Sequence, residues 1–340
     1  RNKCFKKWSV LIYMAADNDL SPYSIGDILE MEQVIPGELN LGATTINTDV
    51  LVELDTYERT GNKRLHIYQT QEDFNFINSE ESITSPNIRT YKETGRGSII
   101  NQKIRFKRFL NWGMKNYPAE HFMVVIWGHG EGYIGKNANQ ALQVINAPNS
   151  SSRYLRKEMI SIEMGKELQP NVFPIDKVFG GVAFDHSDFS YLDIPSINEI
   201  ILKSTEKYSP NKKLDILAFD ACLMQSVEIA TELAESTNYL ISSVQIQDYV
   251  GFPYRKILDF INKFGPNPFD LTKEIPKLAA ESFNGGYQSS TATLYQTFTL
   301  SSLNTSELVN QLVPNLSILS DRIQDYLQED FMRAMDISFI

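Results

Sequence analysis

Met123–Val124–Val125–Ile126–Trp127–Gly128–His129–Gly130 joins an unbroken apolar run to a histidine held between two glycines. Apolar side chains at every position mark a strand covered on both faces, as strands of a parallel sheet are. The glycines end the run in a tight turn with no side-chain bulk beside the imidazole. A second stretch repeats the pattern: Leu214–Asp215–Ile216–Leu217–Ala218–Phe219 reads as a covered strand and runs straight into Asp220–Ala221–Cys222. Open parallel sheets collect their ligands beyond the carboxyl ends of the strands. His129 and Cys222 are therefore a candidate base and a candidate nucleophile. A single cysteine is more often a buried core residue than a reactive one, and one histidine in a turn is commonly just solvated. Two reactive groups at the ends of two such strands outweigh both readings, because neighbouring strands would let thiol and imidazole meet.

Working outward, Ser9–Ala16, Thr48–Asp55, Arg64–Thr70 and Tyr239–Val244 read as further strands. Helical patterns fall between them: 21–34 with Pro22 in the first turn, from Ser98 to before Tyr117–Pro118, 195–203, and 222–235. Alternation of this kind predicts an α/β fold with a mainly parallel central sheet. A helix opening at Cys222 would place the thiol at the positive end of a helix dipole, which favours thiolate. The polar stretch 136–177 reads as a surface insertion holding one helix near 156–168. From Gly251 the pattern changes, with Pro253, Pro266 and Pro268, a helix near 271–283, a strand near 291–300 and a helix from Ser306. This divides the chain into a core, 1–250, and a smaller C-terminal α/β subdomain, 251–340.

Composition narrows the function. The 340 residues are 42% hydrophobic, enough for a packed interior, and carry a formal net charge of −10. That balance argues against nucleic acid or an anionic membrane as the main partner. No apolar run is long enough for a transmembrane helix. Two cysteines, Cys4 and Cys222, give no disulfide framework. The chain opens at Arg1 without methionine or an apolar signal core and ends at Ile340 without a stop signal, as expected of a sequence shortened at both ends.

Other motifs carry less. His66 lies in a strand and His121 precedes one, so both read as structural or surface residues. His186 lacks a second histidine or cysteine at ligand spacing, which argues against zinc. Asp17 and Asp19 follow the first strand and most simply cap the next helix. Gly130–Glu131–Gly132–Tyr133–Ile134–Gly135 matches the G-x-G-x-x-G pattern, but a polar stretch follows instead of the helix and strand that a dinucleotide site needs. No G-x-S-x-G elbow is present for a serine hydrolase.

Taken in order, Trp8–Ser9–Val10–Leu11–Ile12–Tyr13–Met14–Ala15–Ala16–Asp17–Asn18–Asp19–Leu20, Val125–Ile126–Trp127–Gly128–His129–Gly130 and Phe219–Asp220–Ala221–Cys222–Leu223–Met224 resemble the clostripain family of cysteine peptidases. Tyr191–Leu192–Asp193–Ile194–Pro195 and Gly251–Phe252–Pro253–Tyr254 extend the resemblance. It implies a caspase-like α/β/α sandwich and an endopeptidase that cleaves protein or peptide substrates after Arg or Lys. In that reading Cys222 attacks, His129 handles protons, the N–H groups of Gly130 and Cys222 form the oxyanion hole, and Asp220 lines the basic pocket. Asp248 is a second pocket candidate. The resemblance also implies export to periplasm, cell surface or medium. It further implies a precursor cleaved between the His and Cys strands, for which Arg153, Arg156 and Lys157 are candidates. The chemistry requires no cofactor, although some members respond to calcium. Two departures stand out: many relatives have an aspartate in place of His186, and an acidic-Pro-Gly run in place of Gln245–Ile246–Gln247–Asp248–Tyr249. The competing reading is a catalytically silent relative that binds basic peptides or proteins.

Overall fold

The computed structural model describes residues 5–33, 43–56, 62–68, 80–91, 102–133, 180–185, 190–284 and 299–329. In chain order its main elements are β1 (Lys6–Ala16), α1 (Ser21–Glu32), β2 (Thr48–Thr56), β3 (Asn62–His66), β4 (Asn87–Tyr91), α2 (Gln102–Asn116), β5 (Ala119–Trp127), β6 (Gly130–Tyr133) and β7 (Gly180–Val182). They continue with α3 (Ile194–Tyr208), β8 (Leu214–Asp220), α4 (Val227–Leu233), β9 (Thr237–Ser243), α5 (Tyr254–Phe264), α6 (Pro268–Phe283), β10 (Leu300–Asn304) and α7 (Val313–Glu329).

Among the described residues the main sheet has eight strands in the order β10-β9-β8-β5-β1-β2-β3-β4. The run from β9 to β2 is parallel, and antiparallel strands close each edge. Its apolar strands need cover on both faces, and helices supply it. Val10, Ile12 and Met14 of β1 pack with Ile28 of α1, Ile257 of α5 and Ile275 of α6. Leu11 and Tyr13 point the other way, into a core with Phe106 of α2, Ile197 of α3 and Ile229 of α4. Alternate residues of one strand thus feed the two cores of an α/β/α sandwich. Among the described residues no helix is long and apolar enough to cross a membrane.

Several boundaries differ from the sequence reading for local reasons. The residues from Gly251 onward add their strand, β10, to the edge of the main sheet beside β9. Phe252, Ile257 and Leu271 join the core under β1, and Trp8 Nε1 donates to Pro266 O at 2.9 Å. Helix α5, whose apolar stripe begins at Tyr254, starts directly after Pro253. The third strand spans Asn62–His66 rather than 64–70. Residues 134–179 and 186–189, which include Arg153, Arg156, Lys157 and His186, lie outside the described residues, as does Cys4.

One buried carboxylate joins the two strands that matter most. Asp215 at the start of β8 accepts from Phe122 N of β5 at 2.9 Å and lies 3.3 Å from His121 Nδ1. Removing it orphans a buried backbone N–H bonded to a charged acceptor. Asp215→Ala is expected to lower unfolding free energy by about 1.5–3 kcal/mol in urea denaturation, whereas a change below the error of the fit would deny the contact its role.

Candidate active site

The sheet order places a topological switch between β1 and β5: from β1 the chain builds outward to β2, then returns to place β5, β8 and β9 on the other side. Such a switch opens a crevice at the carboxyl ends of the strands. Strands β5 and β8 pair in parallel from Met123 opposite Ile216 to Trp127 opposite Asp220. Gly128 N then donates to Asp220 O at 3.2 Å, closing the ladder. His129 and Cys222 therefore each stand two residues beyond matched partners. They line one small cleft together with Trp127, Asp220, Gln247, Asp248 and Gly251. Cys222 is in no disulfide among the described residues and is mostly buried, as is His129.

Gly130 is where the two strand ends press together. A Cβ there would lie 2.3 Å from Cys222 O, a distance no real side chain tolerates. The segment Gly130–Tyr133 forms β6, paired antiparallel with β7, so the glycine-rich pattern does not open a helix to cradle a phosphate.

The thiol does not sit at a helix N-terminus. Residues 221–226 form a turn and a short extended link, with Leu223 at φ 63°, and α4 begins only at Val227, capped by Ser226. Met224 is drawn into the core instead of starting a helical turn. The donor the sequence assigned to a helix dipole is a backbone amide: Gln247 N donates to Cys222 Sγ at 3.2 Å. An N–H aimed at sulfur favours the thiolate in the same way.

His129 has a partner that sequence reasoning missed. Asp19 Oδ1 lies 2.7 Å from His129 Nε2. Asp19 was read as a helix cap, but α1 has no side-chain cap, and Asn18 Oδ1 takes up Leu20 N at 2.9 Å. Asn18 Nδ2 also bonds Ala15 O and Phe184 O, tying the end of β1 to the segment after β7. A carboxylate on one imidazole nitrogen fixes the ring and stabilises its protonated form. The signal available in sequence was position alone: Asp19 lies just past the strand that borders the switch.

Beneath the cleft lies buried negative charge. Asp220 accepts from Gln247 Nε2 at 2.5 Å, Phe252 N at 3.0 Å and Tyr254 Oη at 2.8 Å. Burial raises its pKa to about 6, with these three donors pulling the other way. Gly251, at φ 57°, allows this approach, because a Cβ there would lie 2.8 Å from Asp220 Oδ2. Asp27 of α1 accepts from Trp127 Nε1 at 2.7 Å. Burial, and then the charge of Asp220, hold Asp27 well above the usual carboxylate range. With three donors against one, Asp220 is the better stabilised of the two as a carboxylate. Asp248 is also buried; its Oδ1 accepts from Val250 N at 3.3 Å, and its Oδ2 has no hydrogen-bond partner among the described residues. No group of three or more His, Cys, Asp or Glu side chains among the described residues is arranged to hold a metal ion.

The sequence profile of the clostripain family matches residues 12–153 and 173–338, most of the chain. The chain belongs to the clostripain family. It is a cysteine peptidase. A secreted C11 cysteine protease from Bacteroides thetaiotaomicron, solved with an irreversible peptide inhibitor, superposes with TM-score 0.55 and 20% identity, covering 89% of this chain and 68% of its own. An inactive zymogen C11 protease from Parabacteroides distasonis gives TM-score 0.53 and 18% identity, over 91% and 65%. At these identities the likeness establishes the fold, and the chain spans about two thirds of either relative. No curated protein matches the chain.

The crowding at Gly130 makes a direct prediction for this clostripain-family chain. Gly130→Ala must push the Cys222 backbone aside, and a displacement near 1 Å at a reacting centre costs about a hundredfold in rate. Peptidase activity is expected to fall by at least that much, measured as kcat/KM. An active alanine variant would show that the two strand ends are not pressed together.

Proposed function

We propose that this protein is an endopeptidase that cleaves after Arg or Lys, with Cys222 as nucleophile and His129 as general base and acid. The observation that carries the substrate class is the buried Asp220, set beneath the cleft beside the nucleophile, with Asp248 Oδ2, which has no hydrogen-bond partner among the described residues, at its wall. The described residues lining the cleft include no Lys or Arg. A guanidinium or ammonium entering from the substrate would meet the charge there with charge-assisted bonds.

In this reading His129 takes the Cys222 proton as Sγ adds to the scissile carbonyl. The resulting oxyanion is held by the N–H groups of Gly130 and Cys222. The tetrahedral adduct collapses as His129 returns the proton to the leaving amine, leaving a thioester. Water, deprotonated by the same imidazole, then hydrolyses the thioester and restores the thiol. Asp19 keeps the ring oriented through both halves. Self-cleavage at Arg153, Arg156 or Lys157 would create the two-chain form, and export would deliver it to extracellular or periplasmic substrates.

Peptide reporters with Arg, Lys, Leu or Asp before the scissile bond test the reading, with and without calcium. Cleavage after Arg and Lys is expected, abolished in Cys222→Ala. Asp220→Asn is expected to lower kcat/KM on these reporters by about a hundredfold or more, the cost of removing one partner of a buried charge pair. No cleavage by intact or loop-nicked protein would favour the silent binding relative.

The pH dependence follows from Asp220. Above about 6 it is ionised and attracts the cation; as pH falls through that value it becomes neutral and the attraction is lost. KM for Arg and Lys reporters is therefore expected to rise below pH 6. A KM flat from pH 5 to pH 8, a window spanning about one unit below and two above the titration, would remove Asp220 from the pocket.

A further inference from the structure

Gln247 bridges the same two points that a bound substrate residue would. Its backbone N–H donates to Cys222 Sγ at 3.2 Å, and its carbonyl lies 3.8 Å from the same sulfur. Its side chain then turns down, and Nε2 reaches Asp220 Oδ1 at 2.5 Å. A substrate residue before the scissile bond must likewise set its backbone at the thiol and send its side chain to the pocket carboxylate.

The fit of the glutamine is incomplete in a way that points to what belongs there. Gln247 Oε1 is buried and has no hydrogen-bond partner among the described residues. An amide carries one acceptor that this acidic site cannot satisfy, whereas a guanidinium or ammonium carries donors only. While Nε2 stays on Asp220 Oδ1, that oxygen is taken, and a substrate cation must displace the glutamine to reach it. The segment is also held from outside: Leu223 N donates to Gln245 O at 3.1 Å, and Tyr249 stacks on Tyr23 of α1 with ring centroids 5.1 Å apart.

We propose that Gln247 is a built-in surrogate for the substrate's basic residue, occupying the specificity pocket until a cationic side chain displaces it from Asp220. The inference rests on the basic-pocket reading above. Displacement exchanges a neutral donor on Asp220 for a charged one, which a Lys or Arg side chain supplies and a Leu side chain does not. Gln247 is then a specificity-determining residue: it raises the threshold for entry and leaves only cations able to cross it.

The test is calorimetric titration with benzamidine, an amidinium probe, of the native protein, Gln247→Ala and Gln247→Ser. Thermal melts check that the variants are folded. Both variants are expected to bind about fivefold to tenfold tighter, the effect of removing a competing hydrogen bond worth about 1–1.4 kcal/mol. The accompanying gain on Arg reporters is expected in KM, with no gain on Leu reporters. Equal or weaker benzamidine binding by folded variants, with the native protein binding normally, overturns the surrogate role and leaves the basic pocket standing. Absence of binding by all three proteins overturns both.

Discussion

Parallel pairing of β5 with β8 fixes the height at which each strand leaves the sheet. Because Trp127 stands opposite Asp220, and Gly128 N bonds Asp220 O, the next residues of both strands emerge side by side. That constraint brings an imidazole and a thiol, far apart in sequence, to one cleft. It also dictates the glycine at position 130, since any side chain there would collide with the Cys222 carbonyl. Asp215 pins the other end of the same pair of strands through Phe122 N. A register slip of one residue would turn every side chain of a strand to the opposite face, and the two cores would forbid it.

Electrostatics adds a second constraint. Asp27 and Asp220 are both withdrawn from water, and burial raises both pKa values. Holding charge there has a free-energy cost that the three donors around Asp220 offset only in part. In the proposed reading, a cation arriving with the substrate would supply what the fold withholds. The same logic frames the proposed role of Gln247, a neutral donor on Asp220 Oδ1. Its backbone N–H also places the loop after β9 against Cys222, at the end of the neighbouring strand β8.

Much of this was legible in the sequence, and the limits were physical ones. The central strands announced themselves because a strand covered on both faces is apolar throughout, and the strand-end rule then singled out His129 and Cys222, while Asp220 came from the family resemblance. The segment after Cys222 misled because Leu223, Val227, Ala230 and Ala234 carry a helical period, while the local backbone is bent by a positive φ at Leu223 that no composition reveals. Asp19 was misread because an aspartate ahead of a helix is ordinarily a cap. Only the switch between β1 and β5 turns it toward the imidazole. The C-terminal portion looked separate because its prolines interrupt the pattern, yet pairing of β10 with β9 is a long-range contact that local sequence does not encode. Gln247 departs from the family's acidic-Pro-Gly run, and that departure became meaningful only with its bonds to Cys222 and Asp220.

The central claim is that Cys222 is a nucleophile activated by His129 above a pocket for cations. The most direct measurement is labelling with a peptidyl arginine chloromethyl ketone followed by peptide mapping of the adduct. The account predicts a single adduct on Cys222, slowed sharply in His129→Ala and formed far more slowly with the leucine reagent. An adduct elsewhere in the chain, or labelling of Cys222 at the same rate with both reagents and without His129, would contradict it.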